Sequence, residues 1–340
     1  VTINDSEADN EAPGTRSAAS RGVVGGGGGG VDRDLQPRRL EVAVVGQIAR
    51  DLVLRMDELP EAGTSGPVRE RKETLGGKGA NQAVALAQLG ASVALIGVVG
   101  DDTEADRILA RAEADGIDTT PVVHRPNTRT GLIVDVVDAR ARWRYLEDLP
   151  DDVLLTEQDI AAARDTLAAA QAVTVQLQQP LPAAMAAARA GHAVGNLVVL
   201  DGAPPDRSSA DPLLALADVI RADAHEAELL IGTQVHDIEA GLRAARTLLD
   251  RGPKLAALAV GDQGNVFAWP DGDLVIPLED GPVVDSTGAG DAFTAALTLS
   301  LLRGATPPQA ARAASAAAAS TVRHAGGRPH LTPDILITTP

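Results

Sequence analysis

From Leu40 onward the chain alternates short, apolar, β-prone runs with longer alanine-rich stretches that read as helical. The runs at 42–45, 93–99, 197–200 and 256–260, and the β-prone run 173–177 with Thr174 and Gln176 in it, read as buried strands. Between them, 80–89, 182–190, 239–251 and 291–302 read as helices, several stopped by Gly90, Gly191, Gly252 or Gly304. This alternation predicts an α/β fold: a mostly parallel central sheet with helices on both faces, three layers in all.

Two stretches break the rhythm. Residues 51–75 are long, charged and helix-poor, and 131–146 hold two β-prone runs around the polar turn Asp138-Ala139-Arg140. Together they predict a small sheet, drawn from about 48–76 and 130–147, that stands off the main domain of 39–340 as a lid. Residues 1–38 mix acids, Ser and Pro with an unbroken glycine run at 25–30, a composition that buries too little apolar surface to offset its ordering entropy. A disordered tail is expected there.

Composition narrows the function classes. A formal charge of −17 opposes nucleic-acid and anionic-membrane partners, which both need a positive field. With aromatic residues at only 1%, the core must be aliphatic and stacking platforms for bases are scarce. The absence of cysteine excludes a disulfide framework and thiolate metal sites, and no apolar run reaches the length of a spanning helix. A cytoplasmic location is the expectation.

Two glycine clusters carry the candidate chemistry. Asp285-Ser286-Thr287-Gly288-Ala289-Gly290-Asp291 runs directly into an apolar helix. Backbone N–H groups at such a helix start converge on an anion, and the acid in the first turn reaches the same point. That suits phosphoryl transfer, with amides holding the developing charge and a carboxylate taking a proton from the attacking hydroxyl. A plain helix cap after a tight turn fits these residues as well. The second cluster, Gly76-Gly77-Lys78-Gly79-Ala80-Asn81-Gln82, also opens a helix; it is neither a Walker A loop, since Gly79 stands where Ser or Thr should follow Lys78, nor a dinucleotide fingerprint.

Taken in order, the clusters resemble the two signatures of the PfkB/ribokinase-like carbohydrate kinases. The first continues through Leu89-Gly90-Ala91 and Gly97 to Gly100-Asp101-Asp102. The resemblance covers about residues 40–333 and implies a ribokinase-like fold moving the ATP γ-phosphoryl group to a hydroxyl of a sugar-like molecule. It makes Asp291 the catalytic base and Gly288, Ala289 and Gly290 the anion hole. Substrate contacts are implied at Asp51, Gly77, Lys78, Asn81 and Gln178. Around the nucleotide it implies Asp223, Glu226, Gly261, Gly264 and Thr287, with Mg²⁺ near Glu226, through water, and a K⁺-type ion beside Asp285. Separately, a lid with one apolar face predicts a homodimer in which the lid of a partner subunit covers it.

The chain also departs from the pattern. Ala49 and Gln178 stand where ribokinases carry Asn and Glu, Asp223 stands where the family has Asn, and the bulky run 142–147 replaces a glycine-rich stretch. The acceptor sugar therefore stays open: nucleoside, sugar-phosphate, fructose and keto-deoxy sugar acid kinases are the enzyme alternatives, and a ligand-sensing pseudokinase is the non-catalytic one.

Overall fold

The structure, a computed structural model, describes residues 40–140, 142–279, 281, 283–323 and 328–337; the tail predicted over 1–38 lies outside them. Strands β1 (Val42–Val45), β2 (Ala49–Met56), β3 (Val68–Gly76), β4 (Val93–Ile96), β5 (Val98–Gly100), β6 (Ile117–Asp118), β7 (Val123–Arg125), β8 (Leu132–Val137), β9 (Trp143–Asp148), β10 (Ala172–Gln176), β11 (Leu197–Asp201), β12 (Val219–Asp223), β13 (Leu255–Ala259), β14 (Asn265–Trp269) and β15 (Gly272–Ile276) form three sheets. The helices are α1 (Lys78–Gln88), α2 (Thr103–Ala114), α3 (Glu157–Ala162), α4 (Arg164–Ala169), α5 (Leu181–Ala193), α6 (Ala210–Leu214), α7 (Ala224–Ile231), α8 (Ile238–Leu249), α9 (Ala289–Leu302) and α10 (Pro307–Thr321).

The central sheet has nine strands in the order β15-β14-β13-β12-β11-β10-β1-β4-β6, parallel except near one edge, where β14 runs antiparallel to both β13 and β15. All four residues of β1 are buried, because parallel neighbours on both sides leave its two faces to the helices. Ala43 and Val45 join one core with α3, α4, α5, α7 and α8, while Val42 and Val44 join the opposite core with α1, α2 and α9. The apolar run at 93–99 is cut at Gly97: β4 continues the main sheet, whereas β5 pairs with β7 in a separate two-stranded sheet. A Cβ at Gly97 would come within 2.7 Å of the Gly46 carbonyl oxygen, so the run cannot pass that point as one strand with a larger residue.

The two irregular stretches meet in a four-stranded sheet, β3-β2-β8-β9, separate from the central one. Here β2 runs antiparallel to β3 and parallel to β8, and β8 turns back into β9. One row of its side chains, led by Asp51 and Asp135, is buried against the main domain, while Leu146 on the other face is 62% exposed. Among the described residues no helix is long and apolar enough to cross a membrane.

Candidate active site

Helix α9 begins where two cavities meet. Gly288, its N-cap, has φ of +73°, a left-handed backbone that favours glycine and turns the loop sharply into the helix. Gly288 and Asp291 line a cavity of about 180 Å³ beneath the four-stranded sheet. Ala289 and Gly290, on the other side of the same turn, line a cavity of about 570 Å³ between the carboxyl end of β13 and α10. The first turn of α9 is therefore a shared wall, and its dipole presents partial positive charge to both sides.

Asp291 occupies the third position of α9 and is 6% exposed. Its carboxylate accepts from Asn81 Nδ2 at 3.3 Å and Gln82 Nε2 at 3.4 Å, both on the first turns of α1. Burial, with Asp201 nearby, pushes its pKa up to about 7, although Lys78, Arg221 and Gln82 pull the other way. A carboxylate poised there is matched to taking a hydroxyl proton near neutral pH. Gln82 also donates to Asp201 Oδ2 at 2.7 Å, and Asp201 Oδ1 accepts from Arg221 Nη1 at 3.0 Å and Thr294 Oγ1 at 3.3 Å. This chain of bonds ties α1, β11, β12 and α9 together behind the reacting wall.

On the smaller cavity, Asp51, Gly77, Lys78, Asn81 and Gln178 come together with Asp291 and Thr287. Gly76 is what admits Asp51: a Cβ there would lie 1.9 Å from Asp51 Cγ. The Asp51 carboxylate takes the Gly77 N–H, yet burial, Asp135 and Asp285 push its pKa up to about 7. Gln178 is oriented through Gln176, whose Nε2 donates to it at 3.1 Å and whose Oε1 accepts from Gln47 N at 2.8 Å. From β9, Tyr145 reaches across to Thr287, hydroxyl to hydroxyl at 2.5 Å, joining the small sheet to the turn before α9. Burial, ahead of nearby carboxylates, pushes the tyrosine pKa up to about 12, so it stays protonated.

The larger cavity is lined by small residues, among them Gly261, Ala289, Gly290, Ser315, Ala316 and Ala319, with Phe293 and Arg221 toward α9. Phe293 and Phe267 stack at 5.6 Å between centroids, and the Arg221 guanidinium lies 6.0 Å over Phe293. Arg221 thus stands on the border of the larger cavity, 3.8 Å from Glu226 Oε2. Burial would lower its pKa, but Asp201, Glu226 and Asp291 raise it, so its charge is permanent.

The remaining expected residues sit differently. Thr287 belongs to the smaller cavity, beside Asp51, not to the larger one where the nucleotide expectation put it. Gly264 lines neither cavity: it closes the β13–β14 turn, its carbonyl accepting from Val260 N at 2.8 Å. Asp223 caps α7, accepting from Glu226 N while Glu226 Oε2 accepts from Asp223 N, each at 2.8 Å. Asp285 Oδ1 accepts from Thr287 N at 2.9 Å, which fastens it into the turn. Asp201, Arg221 and Asp135 were not singled out by the motifs. The first two end or sit within strands whose carboxyl edge faces the site, and Asp135 is the one acid in an otherwise apolar strand. A charge inside a buried β run was the available signal.

Residues 39–334 match the pfkB family carbohydrate kinase pattern. The chain belongs to that family. Among its relatives, the deoxyribokinase of Salmonella typhi is 32% identical over 254 residues, 75% of this chain and 83% of that protein. The bifunctional ribokinase/ribose-5-phosphate isomerase A of Fructilactobacillus sanfranciscensis is 31% identical over 262 residues, 77% of this chain but only 48% of that longer protein. Of solved structures, Arabidopsis thaliana ribokinase complexed with ribose and ATP superposes with a TM-score of 0.73 at 23% identity, covering 88% of this chain and 97% of that one. The fold is thus ribokinase-like, as expected. This pfkB-family protein is an ATP-dependent carbohydrate kinase, and its two cavities can be assigned roles on that footing.

Proposed function

We propose that this kinase moves the γ-phosphoryl group of ATP to a hydroxyl of a small sugar held in the smaller cavity, with Asp291 as general base. The observation that carries this reading is the position of Asp291 and Gly288 to Gly290 on one helix turn shared by both cavities. ATP lies in the larger cavity with its γ-phosphate at the α9 N-terminus. Asp291 takes the proton from the sugar hydroxyl, the hydroxyl oxygen bonds to the γ-phosphorus, and the bond to the β-bridging oxygen breaks to release ADP. The N–H groups of Gly288, Ala289 and Gly290 and the Arg221 guanidinium offset the charge on the transferring group. Asp51, Lys78, Asn81 and Gln178 hold the sugar, and the four-stranded sheet acts as a lid that excludes water.

Magnesium fits as a partner of the nucleotide. No group of three or more His, Cys, Asp or Glu among the described residues makes a cage, and Glu226 is already engaged by the Asp223 N–H and by Lys78 at 3.6 Å. Such a site suits an ion that brings phosphate oxygens and waters, with Glu226 outside its inner shell. Bound there, the ion would supply positive charge against the phosphates. The Asp223 departure from the family is filled by a helix cap, which leaves Glu226 in place and gives the non-catalytic reading no support.

The outer face of the lid carries Leu52, Leu54, Leu132, Val134, Val136 and Leu146, and we propose that a second copy covers it in a homodimer. Sedimentation at micromolar concentration checks this, and a monomer contradicts it. The kinase reading is tested by ADP release with Mg-ATP over ribose, deoxyribose, fructose, keto-deoxy sugar acids, hexose phosphates and nucleosides, with and without potassium. Release well above the ATP-only rate for one class supports it, and silence across the panel contradicts it.

A further inference from the structure

Asp135 stands in β8, whose other residues are Leu, Ile and Val. It pairs with Val53 on β2 and Tyr145 on β9, and its side chain leaves the sheet on the same face as Asp51 and Ile133. The residue is 4% exposed, lines the smaller cavity, and neither of its carboxylate oxygens has a hydrogen-bond partner. The nearest register positions offer no cation to it: Arg55, diagonal on β2, faces Glu70 at 3.9 Å. Lys78, the lysine of this cavity, faces Glu226 at 3.6 Å.

Asp51 Oδ1 is likewise without a partner in the same cavity. Burial first, and then Asp285, pushes the Asp135 pKa up to about 6, and Asp135 in turn raises that of Asp51. Leaving a carboxylate buried and unpaired is expensive, and an apolar strand gives no structural reason for one. What is missing from the free protein is a donor, and preferably a positive one, since Asp51, Asp135, Glu147 and Asp291 line the cavity against Lys78 alone.

We propose that Asp135 is a specificity residue that receives the ammonium group of an amino sugar, a reading that rests on the sugar-kinase assignment of this cavity. An ammonium brings three N–H donors and one positive charge to oxygens that lack both. A neutral sugar supplies hydroxyl donors but leaves two carboxylates facing each other. Sugar acids and sugar phosphates add to that repulsion and are rejected.

Isothermal titration of the full chain with glucosamine, galactosamine, mannosamine and 1-amino-1-deoxyfructose, each against its neutral hydroxyl parent, tests this without requiring turnover. At least one amine is expected to bind about tenfold or more tighter than its parent. Asp135→Asn, close to isosteric, should erase that preference, bringing the Kd values of the amine and of its parent within about threefold of each other. The inference is overturned if every amine binds no tighter than its parent to the unmodified protein, a comparison that needs no variant, or if the preference survives Asp135→Asn. ADP release on the same sugars keeps the two readings apart. Turnover of neutral sugars with no amine preference removes the role of Asp135 and leaves the kinase reading standing; amine-selective binding without ADP release does the reverse.

Discussion

The two cavities on either side of α9 are built from opposite materials. The larger one has many glycine, alanine and serine residues in its wall, with recognition supplied by shape, a helix terminus and three arginines, Arg221, Arg312 and Arg323. The smaller one is walled by carboxylates, two of which lack full hydrogen-bonding partners and have raised pKa values. A ligand that carries its own negative charge suits the first, and a donor-rich, neutral or positive ligand suits the second. On the proposed assignment, phosphate charge lies on one side and the acids on the other, with Asp291 at the boundary between them.

The largest effect should come at that boundary. Asp291→Asn keeps the side-chain shape and one of the two oxygens that accept from α1 but removes the proton acceptor, so turnover should fall about 10²–10⁴-fold with circular dichroism and ATP binding unchanged. Near-normal turnover would take the base role away from Asp291. Arg221 holds the wall from the nucleotide side. Arg221→Met leaves Asp201 buried without its cation and Glu226 with Lys78 alone, and should cost roughly 3–5 kcal/mol in denaturant unfolding. A loss under about 1 kcal/mol would mean that neighbouring groups rearrange to satisfy both acids.

The pH dependence separates chemistry from stability. Because Asp291 must be ionised to act, kcat/KM should rise with pH up to about 7 and level off above it. Stability of the ligand-free protein should move the other way. Asp51, Asp135 and Asp291 hold their protons to higher pH when folded than when unfolded. Between the ordinary carboxylate range, about pH 4, and about pH 7 the folded state therefore binds more protons, and stability falls as pH rises. Asp51→Asn should flatten that fall in thermal unfolding measured across the interval; an unchanged slope would mean that Asp51 titrates normally. The smallest effect belongs to the cavity of small residues: Ala316→Leu should raise the KM for ATP about tenfold while leaving the sugar KM alone. An equal change in both would show that the cavities are not independent.

Much of this arrangement was legible in the sequence, unevenly for physical reasons. Fully buried strands such as β1 and β4 announce themselves because both faces are apolar, and the glycine clusters mark the starts of α1 and α9 because those turns have sterically demanding backbones. Asp291, Asp51, Lys78, Asn81 and Gln178 came out of ordered motifs, and they line one cavity. Gly264 and Asp223 show the limit of position matching: each stands at the expected place in the chain but serves a turn or a cap. Asp201 was missed because its partners Gln82 and Thr294 are 119 and 93 residues away in the chain, and Arg221 because its partner Asp201 lies on the neighbouring strand, 20 residues back. Only the closing of β11 beside β12 and α9 brings them together. Asp135 was visible as an acid in an apolar run, but its meaning depends on the register that sets it opposite Val53, beside Asp51.

The central claim is that the first turn of α9 is where phosphate and sugar meet. A crystal structure of Asp291→Asn soaked with Mg-ATP and a sugar from the active class tests it directly. The account predicts the γ-phosphate against the N–H groups of Gly288 to Gly290 and one sugar hydroxyl within about 3.2 Å of the residue 291 side chain. A γ-phosphate bound away from that turn, or a sugar whose hydroxyls all point away from residue 291, would contradict it.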